Sequence, residues 1–153
     1  DMLIDLARND VARVCKPGIQ VSDYRYVEKY SKVMHTIAQV TGQLDVDKFI
    51  AYDALTACLN AGTLTGAPKI RAMELIEELE PCRRGLYGGC VGYLTFNNEL
   101  NTGITIRSAV IENNTVTTQA GATILLDSTA QAEFQETAHK AAALLGVLQS
   151  ERV

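Results

Sequence analysis

The chain has 153 residues, 47% hydrophobic and 21% charged, with a net charge of −4. That suffices for one domain with a core, and the scattered lysines and arginines argue against a nucleic-acid surface. No apolar run approaches the ~18 residues a membrane span needs, no signal-peptide pattern opens the chain, and Cys15, Cys58, Cys82 and Cys90 lack zinc-site spacing. Reduced cytosolic thiols are expected. The chain opens without Met inside a helical pattern, so it reads as a piece of something larger.

Residues 1–14 place Met2, Leu3, Leu6, Ala7, Val11 and Val14 at helical intervals, and Lys16-Pro17-Gly18 ends that element. Residues 23–30 are polar and aromatic and predict a turn or a short helix. Residues 33–44 alternate as a strand, with His35, Ile37, Gln39 and Thr41 on one side. A lone histidine there is, taken by itself, an ordinary satisfied or exposed imidazole. Residues 45–59 predict a helix with Phe49, Ala54, Leu55 and Cys58 inward.

Next, NAGTLTGAPK (60–69) makes a tight loop aimed at a helix that begins with Pro68 and runs to Glu80, where Pro81 stops it. Free N–H groups at a helix start attract anions. The glycine spacing is wrong for GxxxxGK[ST], and Ile70 stands where Ser or Thr is needed; a carboxylate-binding loop fits better. Three strands are expected at 90–96, 102–111 and 115–126, with hairpin turns at Asn97-Asn98 and Asn113-Asn114. In the middle strand Arg107 points away from Ile104, Ile106 and Val110. It either meets an anion, for which its planar fork suits a carboxylate, or lies on a wet sheet face.

The segment 119–140 is the most informative. Gly121-Ala122 leaves backbone bare for close approach, and Ser128 with Gln131 fits a capping box at a helix start. Phe134, Ala138, Ala141, Leu145 and Leu148 form an expected buried stripe. Glu133, Glu136 and Lys140 share another face, which can hold a metal and an anion. An ordinary solvated Glu–Lys face has the same spacing, and spacing alone favours it.

Taken together, DLARNDVARVCKPG (5–18), YSKVMH (30–35), GTLTGAPKIRAMELI (62–76), YGGCVGY (87–93), ITIRSA (104–109), QAGA (119–122) and ETAHK (136–140) resemble the chorismate-utilising enzyme family. They follow its order of signatures over essentially the whole chain. The branch resembled is the C-terminal portion of anthranilate synthase component I. GAPK is shared with aminodeoxychorismate synthase, while Gly62-Thr63 and the preceding ACLNAG favour the anthranilate branch.

The resemblance implies an α+β fold. It would be part of a two-sheet chorismate-binding domain with outer helices, mixed or antiparallel strands, a C-terminal meander and a long C-terminal helix. Residues 1–153 would be the C-terminal part of a single catalytic domain. Its N-terminal half, with a further metal-binding glutamate, would precede Asp1, so this chain alone is not expected to be competent. His35 would be the active-site histidine and Thr63 the threonine of the substrate loop. Tyr93 and Arg107 would contact chorismate, and the backbone of Gly121, Ala122 and Thr123 would hold a substrate carboxylate. Glu136, with Glu133 beside it, would bind Mg²⁺, and Lys140, which matches the lysine one turn further on, would be a further substrate-binding residue.

The implied reaction is a Mg²⁺-dependent lyase step of tryptophan biosynthesis in the cytoplasm, turning chorismate and ammonia into anthranilate and pyruvate. The ammonia would come from glutamine through an amidotransferase subunit or domain in a hetero-oligomer. Aminodeoxychorismate synthase of the folate pathway is the alternative enzyme, and a non-catalytic chorismate- or metal-binding module the alternative of another class. Thr123 stands where the family has glycine, which is awkward if φ there is positive. His139 and Asn101 also depart from the family pattern.

Overall fold

The computed structural model describes residues 2–31 and 34–150. The chain divides into two units, Asp1–Gly62 with Gly92–Asn101, and Thr63–Val91 with Thr102–Val153.

In the first unit, α1 (Met2–Ala12) follows the expected helical pattern, and Gly18 takes a φ of 112° that suits glycine in the connection after it. β1 (Gln20–Lys29) and β2 (Met34–Thr41) then pair antiparallel, with Val21 opposite Val40 and Glu28 opposite His35. Val33, the expected first residue of the second strand, lies outside the described residues. The turn or short helix expected at 23–30 is therefore a strand. Its local irregularity is real: Asp23 and Arg25 have φ of 47° and 57°, and the register slips between Ser22 and Tyr26. A bulge bends the strand without ending it, and pairing with β2 overrides the polar composition.

α2 covers Ala51–Cys58, a shorter helix than the sequence predicts. Residues 45–49 form a turn instead, in which the N–H groups of Lys48 and Phe49 donate to the Asp45 carbonyl. The helix starts where its first N–H groups find acceptors: Ile50 N donates to Asp53 Oδ2 at 2.8 Å and Ala51 N to Asn98 Oδ1 at 3.2 Å. Ala51 and Ala57 face inward and, with Val14, are the buried apolar residues among those described. Cys58, expected inward, is exposed. Gly62 lies against α1, where a Cβ would stand 1.8 Å from Leu6 Cδ2 and 2.8 Å from Leu6 Cγ. Only hydrogen fits there.

The second unit begins within the short helix α3 (Gly62–Thr65), where a loop is expected. α4 (Lys69–Leu79) ends at Glu80 before Pro81, as expected, while Pro68 precedes the helix as its N-cap. β3 (Cys90–Leu94) and β4 (Leu100–Ile104) pair with each other, and β5 (Ala109–Glu112) pairs with β6 (Thr115–Thr118). Asn113 and Asn114 both have positive φ, 49° and 60°, the signature of a two-residue type I′ hairpin turn. The expected strand 102–111 is broken at residues 105–108, and the expected strand 115–126 stops at Thr118. The α+β class holds, with antiparallel pairing and a long final helix, α5 (Ala130–Ser150). Among the described residues no helix is long and apolar enough to cross a membrane.

Phe96, Leu126 and Ile111 are among many large apolar side chains left exposed. Such surface drives association. The isolated chain is expected to self-associate in static light scattering. A monodisperse monomer with a cooperative melt would overturn this expectation.

Candidate functional site

α5 is turned differently from the way its apolar pattern predicts. Glu133, Thr137, Lys140, Ala141 and Leu144 are half-buried, at positions that form one helical face. Phe134 is 70% exposed, and Ala138, Leu145 and Leu148 are exposed as well. Of the expected stripe only Ala141 is covered. Glu133 and Lys140 therefore turn inward, against the reading that this face is merely solvated, while Glu136 between them is exposed. The helix start is shifted by one residue: Ala132 N reaches Thr129 Oγ1 at 3.4 Å, and Glu133 N donates to the Thr129 carbonyl. Ser128 Oγ instead accepts from Leu125 N at 2.9 Å, so the capping box with Gln131 does not form.

The inward face meets the small-residue segment. Lys140 Nζ donates to the Gly121 carbonyl at 2.9 Å and pairs with Glu136 at 2.5 Å. The need for glycine at 121 is visible in the same place. A Cβ there would lie 3.1 Å from the Tyr87 hydroxyl, so close approach comes from within the protein. Thr123 is not among the residues with positive φ, which removes the backbone objection to a β-branched residue at that position.

Glu133 Oε2 is buried and has no hydrogen-bond partner. An unsatisfied buried carboxylate oxygen is costly, and a hard cation is one group that would satisfy it. Glu133 and Glu136 lie one helical turn apart and supply oxygen donors. Among the described residues no group of three or more His, Cys, Asp or Glu side chains is gathered for a metal. Two carboxylates still suit Mg²⁺, which keeps several waters and takes few protein ligands. The residues present fit that ion.

Arg107 is not mid-strand. It sits in the bend between β4 and β5 with a φ of 50°, a left-handed conformation uncommon for arginine. Side chains staple the bend: Ser108 Oγ donates to the Ile106 carbonyl at 2.9 Å, and Thr118 Oγ1 to the Ser108 carbonyl at 3.1 Å. The arginine is exposed. Thr63 is exposed on α3. His35 and Tyr93 belong to the first unit, both exposed, with the His35 ring edge-on to Tyr30 at 6.2 Å between centroids.

Arg84 carries no expectation from the sequence, and Tyr87 enters only as the first residue of YGGCVGY (87–93), yet both are well anchored. The Arg84 guanidinium grips the Glu80 carboxylate, donates to the Leu64 carbonyl at 2.7 Å and lies 5.6 Å from the Tyr87 ring centroid. The hydrogen bonds it donates to Glu80 hold the guanidinium's pKa above its ordinary value despite partial burial. The trace in the sequence is the four-residue spacing of Glu80 and Arg84 across Pro81.

Gly121→Ala is expected to cost about 1 kcal/mol in a denaturant titration by pressing on the Tyr87 hydroxyl. Adding Tyr87→Phe should recover most of the loss. Strictly additive losses would show that the hydroxyl is not the obstacle.

The profile of a family described as chorismate binding enzyme matches residues 1–146. Anthranilate synthase component 1 of Mycolicibacterium smegmatis is 54% identical over 148 residues, covering 96% of this chain and 28% of that protein. The Escherichia coli protein of the same name is 54% identical over 147 residues, covering 94% of this chain and 28% of its own length. The crystal structure of anthranilate synthase component I from Streptococcus pneumoniae superposes with a TM-score of 0.87 at 47% identity, over 92% of this chain and 32% of that one. This chain thus spans 28% of the length of the curated relatives it matches here.

Proposed function

Because this chain belongs to the chorismate binding enzyme family, we propose that it is the C-terminal portion of an anthranilate synthase component I. In this reading it is part of one catalytic domain of a cytoplasmic lyase in tryptophan biosynthesis. Chorismate and ammonia become anthranilate, pyruvate and water: the ring gains the nitrogen as its hydroxyl leaves, and the enolpyruvyl group departs as pyruvate. A glutamine amidotransferase, as a partner subunit or domain, supplies the ammonia.

The observation that carries the reading is the half-buried Glu133 and Lys140 of α5, with Lys140 against the bare backbone at Gly121. Backbone N–H groups at 121–123 can donate to a carboxylate with little side chain in the way. The exposed Arg107 fork suits a second carboxylate contact, which would fix the ring in orientation. Lys140 holds the Gly121 carbonyl, so the neighbouring N–H groups keep their direction. Thr63 and Tyr93 serve as further substrate contacts in this scheme, and His35 assists proton transfer or steers the substrate. Glu133 and Glu136 would hold Mg²⁺, which when bound would neutralise and anchor a substrate carboxylate.

The test is turnover by the full-length parent chain with chorismate, Mg²⁺ and ammonium, the products separated by chromatography. Anthranilate plus pyruvate is the expected result. Aminodeoxychorismate without pyruvate would move the chain to the folate-pathway sister, and absence of turnover with chorismate still bound would favour a non-catalytic module. In the same parent chain, Glu136→Gln is expected to abolish Mg²⁺-dependent activity while the melting temperature stays near wild type. Unchanged Mg²⁺ dependence would remove Glu136 from the site.

A further inference from the structure

Resting on the reading above, we propose that Arg84 is a positioning residue that fixes the turn 84–89, against which the backbone stretches assigned to chorismate are set. Glu80, at the end of α4, is itself anchored, its N–H donating to the Ile76 carbonyl at 3.0 Å. Its carboxylate takes Arg84 Nε at 2.9 Å and Nη2 at 2.5 Å, while Nη1 turns to the Leu64 carbonyl at 2.7 Å. Arg84 and Glu80 are 21% and 32% exposed, so water screens this pair less than a surface pair.

The turn held in this way touches each stretch in question. At the 62–66 stretch, Arg84 holds the Leu64 carbonyl, and the Leu64 side chain packs 3.6 Å from the position a Cβ on Gly88 would take. At the bend that carries Arg107, Gly88 N donates to the Thr105 carbonyl at 3.0 Å and Thr105 N to the Gly89 carbonyl at 2.9 Å. At the 119–123 stretch, the Tyr87 hydroxyl abuts Gly121, and the guanidinium lies over the Tyr87 ring. One side chain thus reaches all three through a single short turn. Lysine cannot reproduce this, because a point charge has no fork to divide between two acceptors and no plane to lay on a ring.

The experiment is steady-state kinetics of the full-length parent enzyme carrying Arg84→Lys, beside wild type, with melting temperature as the check of folding. The KM for chorismate is expected to rise about tenfold, while the KM for ammonium is unchanged. A role in stability alone would lower kcat through the active fraction and leave the chorismate KM where it was. That result overturns the proposal, as do wild-type kinetics throughout. If Arg84→Lys does not fold, Tyr87→Leu keeps the ion pair, removes the ring and decides by the same criterion. A wild-type parent that turns over no chorismate overturns the functional reading and this inference with it, so the two failures are distinguishable.

Discussion

The Arg84–Glu80 pair lies where little else is enclosed. Each described residue that is buried, Asp10, Val14, Ala51 and Ala57, belongs to the first unit, in α1, just after it, or in α2. In the second unit, order comes from hydrogen bonds with defined direction. A hydrophobic contact tolerates sliding, whereas a guanidinium bound to a carboxylate and a carbonyl fixes distance and angle together. That suits loops which must present backbone groups with precision and have few apolar side chains to lean on. The stapled bend at Ser108 and Thr118 follows the same logic, holding Arg107 in a conformation its side chain disfavours.

Gly121 shows how closely the pieces are interlocked. The Tyr87 hydroxyl lies against its α-carbon, and Lys140 takes its carbonyl. The small residue is required by neighbours within the chain as well as by any visitor. Lys140 in turn is tied to Glu136, so a change in the charge of either alters the hold on the backbone.

Much of this was legible in the chain before its structure. α1, β2, α4 and the Asn113-Asn114 hairpin follow their sequence signals, because periodicity, proline and positive-φ asparagines act locally. β1 was hidden because its polar residues and bulge imitate a turn, and only its partner strand makes it a strand. The break around Arg107 left no mark in the alternation of Ile104, Ile106 and Val110, since the bonds that bend it come from Ser108 and distant Thr118. The family motifs point to the residues of the site, and YGGCVGY covers the second half of the 84–89 turn, but none of them includes Arg84. The orientation of α5 is not legible for a different reason: an apolar stripe marks a sticky face without saying what meets it.

That orientation limits what the chain can tolerate near the start of α5. Glu133 and Phe134 are consecutive, yet about 100° apart around the helix, one half-buried and the other exposed. Substitutions can alter the outer stripe and the charged face separately, as on two sides of one rod. A change of length cannot. One residue lost between Thr129 and Glu133 would rotate the rod, swinging Glu133 outward and bringing Phe134, Ala138 and Leu145 to the inner positions. Variation in this stretch should therefore be confined to exchanges of side chain at constant length.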